Sequence, residues 1–522
     1  MSTLTFGHGY RKGEPKFPKI SVIVVILLTS TACHELLNEP AENQMSPKGV
    51  DYTITANTIL PLIGYYAQFQ NFAWDNYALI ATMGDDVNAG GMGDQGGGYT
   101  DIDIYSNYVE STYWMFNNVW CNLYRDIYTA HSTMEQIALY REHATDKTNA
   151  NQYIAEAKVI RAWELFLLSR MWGNVFIPQS SDQTEMYSLP LSTKDEVMKH
   201  ISDQMDAVLP DLPAVNPNKR TDIKGGVTKF TALAIKALAN LELKNYQAVA
   251  DATSQIISSN EFALEPDFYE LFKLKGKLNN ENLFEMQYFD LRDSSGVRYV
   301  YLFSFFGPLG WTPKVPGANE GWGFFEPSMK YVKFMLDRGE TVRLETSVIF
   351  TNRGIAEIKK DPEYATLPAW ISNTTRSGDI FNDFNREIFC SGKHYLPSDQ
   401  LIPGHTAYGT NKNFTCIRYA EILLMHAEAL TNGASSTVMT ADAAVNAVRE
   451  RAGLTPLSGV TNAQVMDEKF AELAMEWGTR FYDMVRLGKY DELSYDGRTF
   501  TEDYIFYPYP LAQVNLLPIL KQ

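Results

Sequence analysis

The feature that most constrains the fold is the stretch YIAEAKVIRAWELFLLSRMWG, Tyr153–Gly173, which is apolar on nearly every side. A helix with this pattern has no broad face suited to water, so it is expected to be buried among other helices. Its few charged residues, among them Arg161 and Glu164, predict a narrow polar stripe or internal ion pairs. The segment therefore predicts a body built mainly from packed helices.

Other helical segments repeat this scheme along the chain. Trp114–His143 has a long helical pattern, and a polar turn joins it to the first segment. Thr193 and Glu196 form a capping box at the start of another helix. Thr228–Asn260 predicts two helices with a hinge, and three C-terminal segments end at Gly433, Gly453 and Gly488. Antiparallel helix pairs of about 34 residues are typical of tetratricopeptide repeats. The predicted fold class is therefore mainly α, with tetratricopeptide-like paired helices.

The stretch 265–414 interrupts the helical pattern, because it is rich in Gly, Pro and aromatic residues. Within it, NLFEMQYF at 282–289 is typical of a strand, and 301–328 has the composition of irregular loops. We therefore predict a loop-rich, partly β lid on a helical base. The predicted organisation is an N-terminal helical-repeat part at 33–264, the lid, and a C-terminal helical-repeat part with a Pro-containing tail at 415–522.

The first 32 residues have the pattern of an export signal. The apolar run 20–28 follows a basic stretch that contains Arg11, Lys12, Lys16 and Lys19. This run is too short to span a membrane, which takes ~20 apolar residues. Small residues precede Cys33 as in a lipobox, although Ser30 stands where Leu is usual. We predict a lipoprotein signal peptide at 1–32 and membrane-anchoring acyl chains on Cys33; the alternative is an ordinary signal peptide followed by an unrelated cysteine.

Charge and cysteine content exclude several classes of protein. The net charge of -17 argues against a nucleic-acid partner, since phosphate binding needs clustered Lys and Arg. The four cysteines, Cys33, Cys121, Cys390 and Cys416, contain no C-x-x-C pair, and H-E-x-x-H is absent. A zinc site is therefore not expected, and we predict no metal and no cofactor. If Cys33 carries lipid, the other three form at most one disulfide or remain as buried thiols.

An enzyme is also not expected. A glycosidase needs two carboxylates at the right separation, but with 62 acidic residues some close pair is inevitable and decides nothing. The nucleophile and metal motifs S-x-x-K, G-x-S-x-G and H-E-x-x-H do not occur. We therefore predict a binding protein with no catalytic residues.

The segment Met83–Tyr105 contains a G-x-G-x-x-G at Gly91, Gly93 and Gly96. A dinucleotide loop must open a helix, whereas the YTDIDIY that follows alternates polar and apolar residues like a strand. Three aspartates would also repel phosphate, namely Asp85, Asp86 and Asp94. A calcium loop is not indicated, because its D-x-[DN]-x-[DN]-G register is missing. A surface turn and a scaffold loop for another ligand remain open.

Four stretches together resemble the SusD/RagB family of surface lipoproteins. They are Ala155–Pro178, Cys416–Leu430, Ala443–Leu454 and Glu468–Lys489, and the ending FYPYPLAQVNLLPIL is similar to the family's Pro-containing tail. The chain departs from the family pattern at Gly478 and Phe481, where a second Arg and a bulkier aromatic residue are frequent. The resemblance covers essentially the whole mature chain and implies a SusD-like α-superhelix.

The resemblance also implies a role. Members of this family lie on the outer face of the outer membrane, cap a SusC-type TonB-dependent transporter, and pass captured oligosaccharides to it without cleaving them. It therefore implies a cell-surface glycan-binding lipoprotein with such a transporter as its partner. A peptide or glycopeptide ligand for the same type of transporter is the alternative.

Sugar binding needs aromatic faces that stack on the rings and planar polar groups that bind hydroxyls. Near the glycine run and in the lid, the predicted ligand-binding residues are Trp74, Tyr77, Asp85, Asp86, Asn88, Trp311, Trp322 and Phe324. Each could instead be structural: the aromatic residues in the core, the aspartates at a solvated turn. The pair Trp114 and Trp120 is more typical of core or groove wall. Structural roles are predicted for Trp163, Trp172, Trp477, Arg161, Arg418, Glu421, Glu476, Arg480, Asp483 and Arg486.

Overall fold

The computed structural model describes residues 49–81, 83–90, 99–106, 110–288, 301–385, 388–404 and 408–521. The described residues from Thr55 onward belong to one compact unit, Thr55–Gln522. The predicted signal peptide, the predicted lipidation site Cys33 and the glycine run 91–98 lie outside the described residues. The domain boundaries at 264 and 414 stay a prediction.

The described residues form nineteen α-helices, which confirms the prediction of a mainly α fold. They are α1 Leu60–Phe69, α2 Trp74–Ala81, α3 Tyr99–Asp103, α4 Trp114–His143, α5 Thr148–Trp172, α6 Lys194–Val208, α7 Lys229–Glu242, α8 Tyr246–Ser258, α9 Phe268–Leu271, α10 Tyr301–Phe306, α11 Met329–Asp337, α12 Val342–Ser347, α13 Asn352–Ile358, α14 Tyr419–Thr431, α15 Ala441–Arg451, α16 Asn462–Leu473, α17 Thr479–Arg486, α18 Tyr490–Leu493 and α19 Leu511–Leu516. Among them, no helix combines the length and the apolarity that a membrane crossing requires.

Helix α5 lies at the centre of the helical body. Every residue from 155 to 172 is buried except Lys158, as its apolar sequence predicts. Its buried carboxylates have partners from other segments: the Tyr65 hydroxyl donates to Glu164 (2.8 Å), and the Tyr66 hydroxyl donates to Glu156 (2.5 Å). Helix α1 is thereby fixed against α5 by hydrogen bonds inside an otherwise apolar interface.

Local signals explain where several helices begin and end. The Thr193 capping box is present at the start of α6, and the predicted hinge separates α7 from α8, with Lys244 in the left-handed region at φ 54°. The C-terminal segment that reads as one helix is instead divided into α16 and α17. Met475, Trp477 and Gly478 adopt positive φ at this break, which frees the backbone there for contacts with other segments.

Six short strands form three antiparallel pairs in the described chain: β1 Val87–Asn88 with β3 Glu326–Pro327, β2 Asn282–Met286 with β6 Phe414–Arg418, and β4 Val348–Phe350 with β5 Phe389–Ser391. Strand β2 confirms the prediction made from NLFEMQYF. It pairs with β6, which leads directly into α14. The predicted lid is therefore joined to the C-terminal helices by a sheet.

Two sequence-based expectations are wrong. The stretch 301–328 is not wholly irregular, since it begins with α10. The segment YTDIDIY contains helix α3 rather than a strand, and Ile102 is buried whereas Ile104 is exposed. The reason is tertiary: the Asp103 carboxylate accepts the Ala89 N–H (3.0 Å) and forms an ion pair with Arg498 (2.5 Å), which fixes the end of the helical turn.

A buried network of arginines and glutamates links the lid to the C-terminal helices. The Arg418 guanidinium contacts Glu281 (2.9 Å), Glu472 (2.5 Å) and Glu476 (2.8 Å). Burial opposes the charge of Glu472, but Arg451 and Arg418 outweigh it and lower its pKa. Removing one partner from such a network leaves an uncompensated buried charge, at a cost of about 3–5 kcal/mol. The network agrees with the structural roles predicted for Arg418 and Glu476.

Other residues with predicted structural roles vary in their contacts. Asp483 pairs with Arg486 (2.7 Å), whereas Arg161 donates to the ring of His131. Glu421 has no ion-pair partner among the described residues, and burial raises its pKa to about 7.

The cysteines Cys121, Cys390 and Cys416 are all free thiols. Cys121 is exposed, contrary to the expectation of three buried thiols.

Candidate functional site

Five aromatic rings from four stretches of the chain pack into a continuous cluster, here called the aromatic platform. Phe305 of α10 lies at its centre: Trp74 stacks on it at 4.0 Å between ring centroids, and Phe324 stacks on it at 4.4 Å. Trp322 meets Phe305 edge-on at 5.6 Å, and Trp114 lies tilted against Trp74 at 5.8 Å. The platform therefore joins the starts of α2 and α4 to the lid.

The outer rings of the platform reach solvent while the inner rings are buried. Trp114 is 46% exposed and Trp322 is 39% exposed, and Trp74 is half-buried. Phe305 and Phe324 are both 6% exposed. Offset and edge-on arrangements of this kind contribute about 0.5–1.5 kcal/mol per ring pair beyond the area they bury. Trp322 is thus held against Phe305, and Trp114 is held against Trp74.

Glycines let the lid approach α10 closely enough to build the platform. A Cβ on Gly321 would lie 2.4 Å from the Gly307 backbone, a separation that no real side chain tolerates. Because this approach is close, the Trp322 N–H donates to the Ser304 carbonyl (2.9 Å), and the Phe324 N–H donates to the Phe305 carbonyl (3.2 Å). The backbone of 321–324 is therefore held along α10 by main-chain hydrogen bonds.

Asp85, predicted to bind ligand, is buried and is not part of the platform. The side chain is fully buried, and its oxygens pair with Arg480 (2.7 Å) and Lys330 (2.6 Å). Burial raises its pKa, but the two cations outweigh burial and lower the pKa below its ordinary value. The Asp85 carbonyl also accepts the Ser328 hydroxyl (2.6 Å). Contact with a ligand would require these bonds to open, so Asp85 does not enter the binding surface proposed below.

Asp86 is also buried, in a different environment. One carboxylate oxygen accepts the Met475 N–H (2.7 Å) at the break between α16 and α17, and the other has no hydrogen-bond partner among the residues that the structure describes. Burial raises the pKa of Asp86 to about 6, the nearby charge of Asp85 adds to this, and the Met475 N–H opposes it. The segment that begins with Asp85 and Asp86 leads into β1, which pairs with β3 just after Phe324. These aspartates therefore position the lid.

The other predicted site residues differ in how far their side chains are exposed to solvent. Asn88 is half-buried, and its side-chain oxygen accepts from Tyr495 (3.0 Å) and Arg498 (2.6 Å). Tyr77 is buried and donates to the Met475 carbonyl (3.1 Å). Trp311 is buried, and its indole N–H donates to a backbone carbonyl. Of the eight predicted residues, Trp74, Trp322 and Phe324 come together in the platform, and only the first two reach its outer face.

Trp114 and Phe305 belong to the platform but are absent from the predicted set. The sequence carried a signal for Trp114: in a helix, residues six apart lie roughly 120° from each other, so Trp114 and Trp120 cannot share a face. Trp120 is indeed buried while Trp114 is exposed. For Phe305 no such signal existed, because its position depends on how the lid packs against α2. The predicted structural tryptophans Trp163, Trp172 and Trp477 are buried.

The platform offers flat apolar faces to water and little else. Among the described residues, no group of three or more histidine, cysteine or carboxylate side chains is arranged to hold a metal ion. Exposed aromatic faces at fixed orientation suit ligands with flat apolar surfaces.

Two family models and a relative of known family match the sequence of this chain. The chain matches the family model described as "SusD family" over residues 280–522 and the model described as "Starch-binding associating with outer membrane" over residues 56–239. SusD-like protein P2 of Formosa agariphila is 25% identical over 484 residues, which cover 89% of each chain.

Solved structures share the fold. A laminarin binding SusD-like protein superposes with a TM-score of 0.71 at 20% identity, covering 88% of this chain and 97% of the other. Surface glycan-binding protein A from Bacteroides thetaiotaomicron, solved in complex with laminarihexaose, gives a TM-score of 0.68 at 21% identity over 88% and 97% of the two chains. The two family models, the relative and the shared fold agree with the resemblance found in the sequence: the chain belongs to the SusD/RagB family.

Proposed function

We propose that this protein is a cell-surface glycan-binding lipoprotein that captures oligosaccharides and delivers them to a SusC-type TonB-dependent transporter. The observation that carries the proposal is the aromatic platform, where Trp74, Trp114 and Trp322 reach solvent over two buried phenyl rings. Proteins of this fold and family include glycan binders, among them one in complex with laminarihexaose. Membership in the same family supports the transporter as partner and the outer membrane as location.

The platform suits sugar rings for a physical reason. A pyranose presents an apolar C–H face and a polar rim, and a tryptophan can cover the first without hindering hydration of the second. Trp114 and Trp322 are already held by neighbouring rings, so ligand binding freezes few side-chain rotamers. The platform itself carries no charge, and the net charge of the chain is -17, both of which favour a neutral glycan over an anionic one.

Titration calorimetry on purified protein tests the proposal, with laminarihexaose and other neutral oligosaccharides as probes and short peptides as the competing class. We expect binding to at least one neutral glycan and none to the peptides. Trp322→Ala or Trp114→Ala should each weaken that binding by ~1–3 kcal/mol, which is roughly 5- to 150-fold. The matched control is Tyr187→Ala, which removes an aromatic side chain 69% exposed outside the platform. Binding to peptides alone, or equal loss in the control, would contradict the proposal.

Two further measurements address delivery and catalysis. If the protein only binds, incubation with the same glycans releases no new reducing ends, whereas steady release would make it a glycosidase. If it serves a transporter, the native protein extracted from outer membranes should co-purify with a large TonB-dependent barrel. Its recovery alone under mild detergent, with the barrel present in the same extract, would count against the partnership.

A further inference from the structure

A second aromatic crevice lies in the predicted lid, formed by residues outside the aromatic platform. It is lined by Trp370 and Phe350 of β4 and, at its mouth, by four exposed residues, Glu345, Ser372, Thr374 and Arg376. The crevice is shallow: it holds about 30 Å³, and about 320 Å³ when the open space at the mouth is included. The enclosed part has room for little more than a water molecule, so a larger ligand would lie across the mouth. We call it the Trp370 crevice.

Trp370 packs against the hydrophobic core with part of its ring and exposes the rest. Its ring is half-buried and meets the Phe350 ring edge-on at 6.3 Å and 73°. Its indole N–H has no acceptor within the part of the chain that the structure describes. The indole N–H groups of Trp172, Trp311 and Trp477 donate to backbone carbonyls. Those of Trp120 and Trp163 also have no partner among the described residues, but both of these side chains are buried. Trp370 thus presents both an apolar face and an available donor at the surface.

The mouth of the crevice supplies polar groups of both kinds. Glu345 is exposed, and among the described residues its carboxylate accepts no hydrogen bond. The Ser372 and Thr374 residues are also exposed, and the Ser372 hydroxyl makes only a long contact of 3.4 Å to the Thr374 carbonyl. A carboxylate acceptor and two hydroxyls beside an aromatic wall are the groups that bind sugar hydroxyls in fixed directions.

The charge at the mouth favours a neutral ligand. Arg376 donates two parallel hydrogen bonds to Asp267 (2.9 and 2.5 Å), and its guanidinium lies over the Tyr269 ring at 4.9 Å. Its charge is therefore matched within the protein. Glu345 is left as the net charge at the mouth, and it would repel a uronate or a sulfated sugar.

The loop that carries these groups is held rigidly before any ligand arrives. The Phe381 N–H donates to the Asn373 carbonyl (2.8 Å), and the Thr375 N–H donates to the Asp379 carbonyl (2.9 Å), which closes a short hairpin. The buried Asp379 carboxylate accepts the Tyr395 hydroxyl (2.6 Å) and the Ser398 hydroxyl (2.8 Å). Such pre-organisation lowers the entropy lost on binding.

We propose that the Trp370 crevice is a second binding subsite, for one neutral sugar unit that stacks on the Trp370 ring and hydrogen-bonds to Glu345. The subsite deepens the function proposed above and rests on it, since both surfaces then bind the same class of ligand. Two sites on one protein increase the effective affinity for a long polysaccharide without any new contact. The subsite therefore contributes most when the ligand is a polymer and least when it is a short oligosaccharide.

Fluorine NMR on the full-length protein labelled with 5-fluorotryptophan tests the subsite. The chain contains nine tryptophans, and Trp370→Phe, Trp322→Phe and Trp172→Phe assign three of the resonances. Laminarihexaose, cellohexaose, xylohexaose and mannohexaose are titrated separately. We expect at least one of them to shift both the Trp370 and the Trp322 resonances, while that of the buried Trp172 stays in place.

The outcomes separate the subsite from the platform. If Trp322 responds and Trp370 does not, the subsite is overturned and the platform stands. If Trp370 responds and Trp322 does not, the subsite stands and the platform is overturned as the main site. If neither responds to any of the four sugars, both proposals fail.

Affinity for laminarin, a polymer, supplies a second measurement once laminarihexaose binding is established. Trp370→Ala should weaken polymer binding at least 5-fold while changing laminarihexaose binding at the platform less than 2-fold. Glu345→Gln keeps the shape and one acceptor oxygen and should have a smaller effect than Glu345→Ala. Equal polymer affinity for wild type and Trp370→Ala would overturn the subsite.

Discussion

The buried carboxylate of Asp86 makes a quantitative prediction about stability and pH. The perturbation is Asp86→Asn, which removes the titrating group and retains an oxygen that can accept the Met475 N–H. In the folded protein, burial raises the pKa of Asp86 to about 6, against an ordinary value of 3.8. The folded state therefore holds this proton more tightly than the unfolded state does.

The sign and size of the effect follow from linkage. Below about pH 4 the group is protonated in both states, and its contribution to stability is fully present. As the pH rises through 6, the unfolded chain has already released the proton and the folded protein must follow, so the contribution is lost. The pKa difference of about two units corresponds to about 3 kcal/mol, at ~1.36 kcal/mol per unit. Asp86→Asn should therefore gain about 3 kcal/mol relative to wild type between pH 4 and pH 7.

Urea unfolding of the purified protein at pH 4, 5, 6, 7 and 8 provides the assay. The quantity of interest is the difference in unfolding free energy between variant and wild type, because contributions from groups that do not interact with Asp86 cancel in it. Asp85→Asn is the matched control and should behave oppositely. The pKa of Asp85 is lowered by Arg480 and Lys330, so this variant should lose stability at neutral pH, and the loss should shrink as the pH falls below 4. A difference for Asp86→Asn that does not change with pH would refute the reasoning.

Two further predictions concern the platform and the anchor. Phe305→Ala removes the ring between Trp74 and Phe324 and should lower the unfolding free energy by ~3–5 kcal/mol and weaken glycan binding with it; a variant as stable as wild type in thermal unfolding would contradict the stacking described above. Cys33→Ala should release the protein from the membrane fraction, as measured by ultracentrifugation and immunoblotting; retention in the membrane after a salt wash would contradict lipidation at this position.

Local patterns in the sequence were sufficient to predict most of the helices. The apolar stretch at the centre of α5 and the capping box at Thr193 each depend on neighbouring residues, and both predictions are confirmed. The break at Met475 and Trp477 could not be predicted, because it depends on the Asp86 carboxylate that accepts the Met475 N–H across 389 positions of the chain. Local propensity in the segment 462–488 favours an uninterrupted helix.

The candidate site was only partly predictable for the same reason. The sequence indicated aromatic residues near the glycine run and in the lid as ligand-binding candidates, and the structure brings Trp74 and Trp322 of these two sets together. Composition could not distinguish a ligand-binding aspartate from one that is buried. Asp85 forms an ion pair with Arg480, which lies 395 positions away in the chain. Only the folded structure brings these two residues together.

Because Phe305 and Phe324 are buried while the tryptophans of the platform reach solvent, ligand preference can change during evolution without loss of the fold. The two phenyl rings pack together and join α2 to the lid through the stacking of Phe305 on Trp74. Substitutions of Phe305 or Phe324 would therefore destabilise the folded protein. Trp322 packs against Phe305 and Trp114 packs against Trp74, and much of each outer ring is exposed. Substitutions of Trp114 or Trp322 would therefore change the contact surface at a small cost in folding free energy. The surface can thus diverge toward new ligands while the architecture beneath it stays intact.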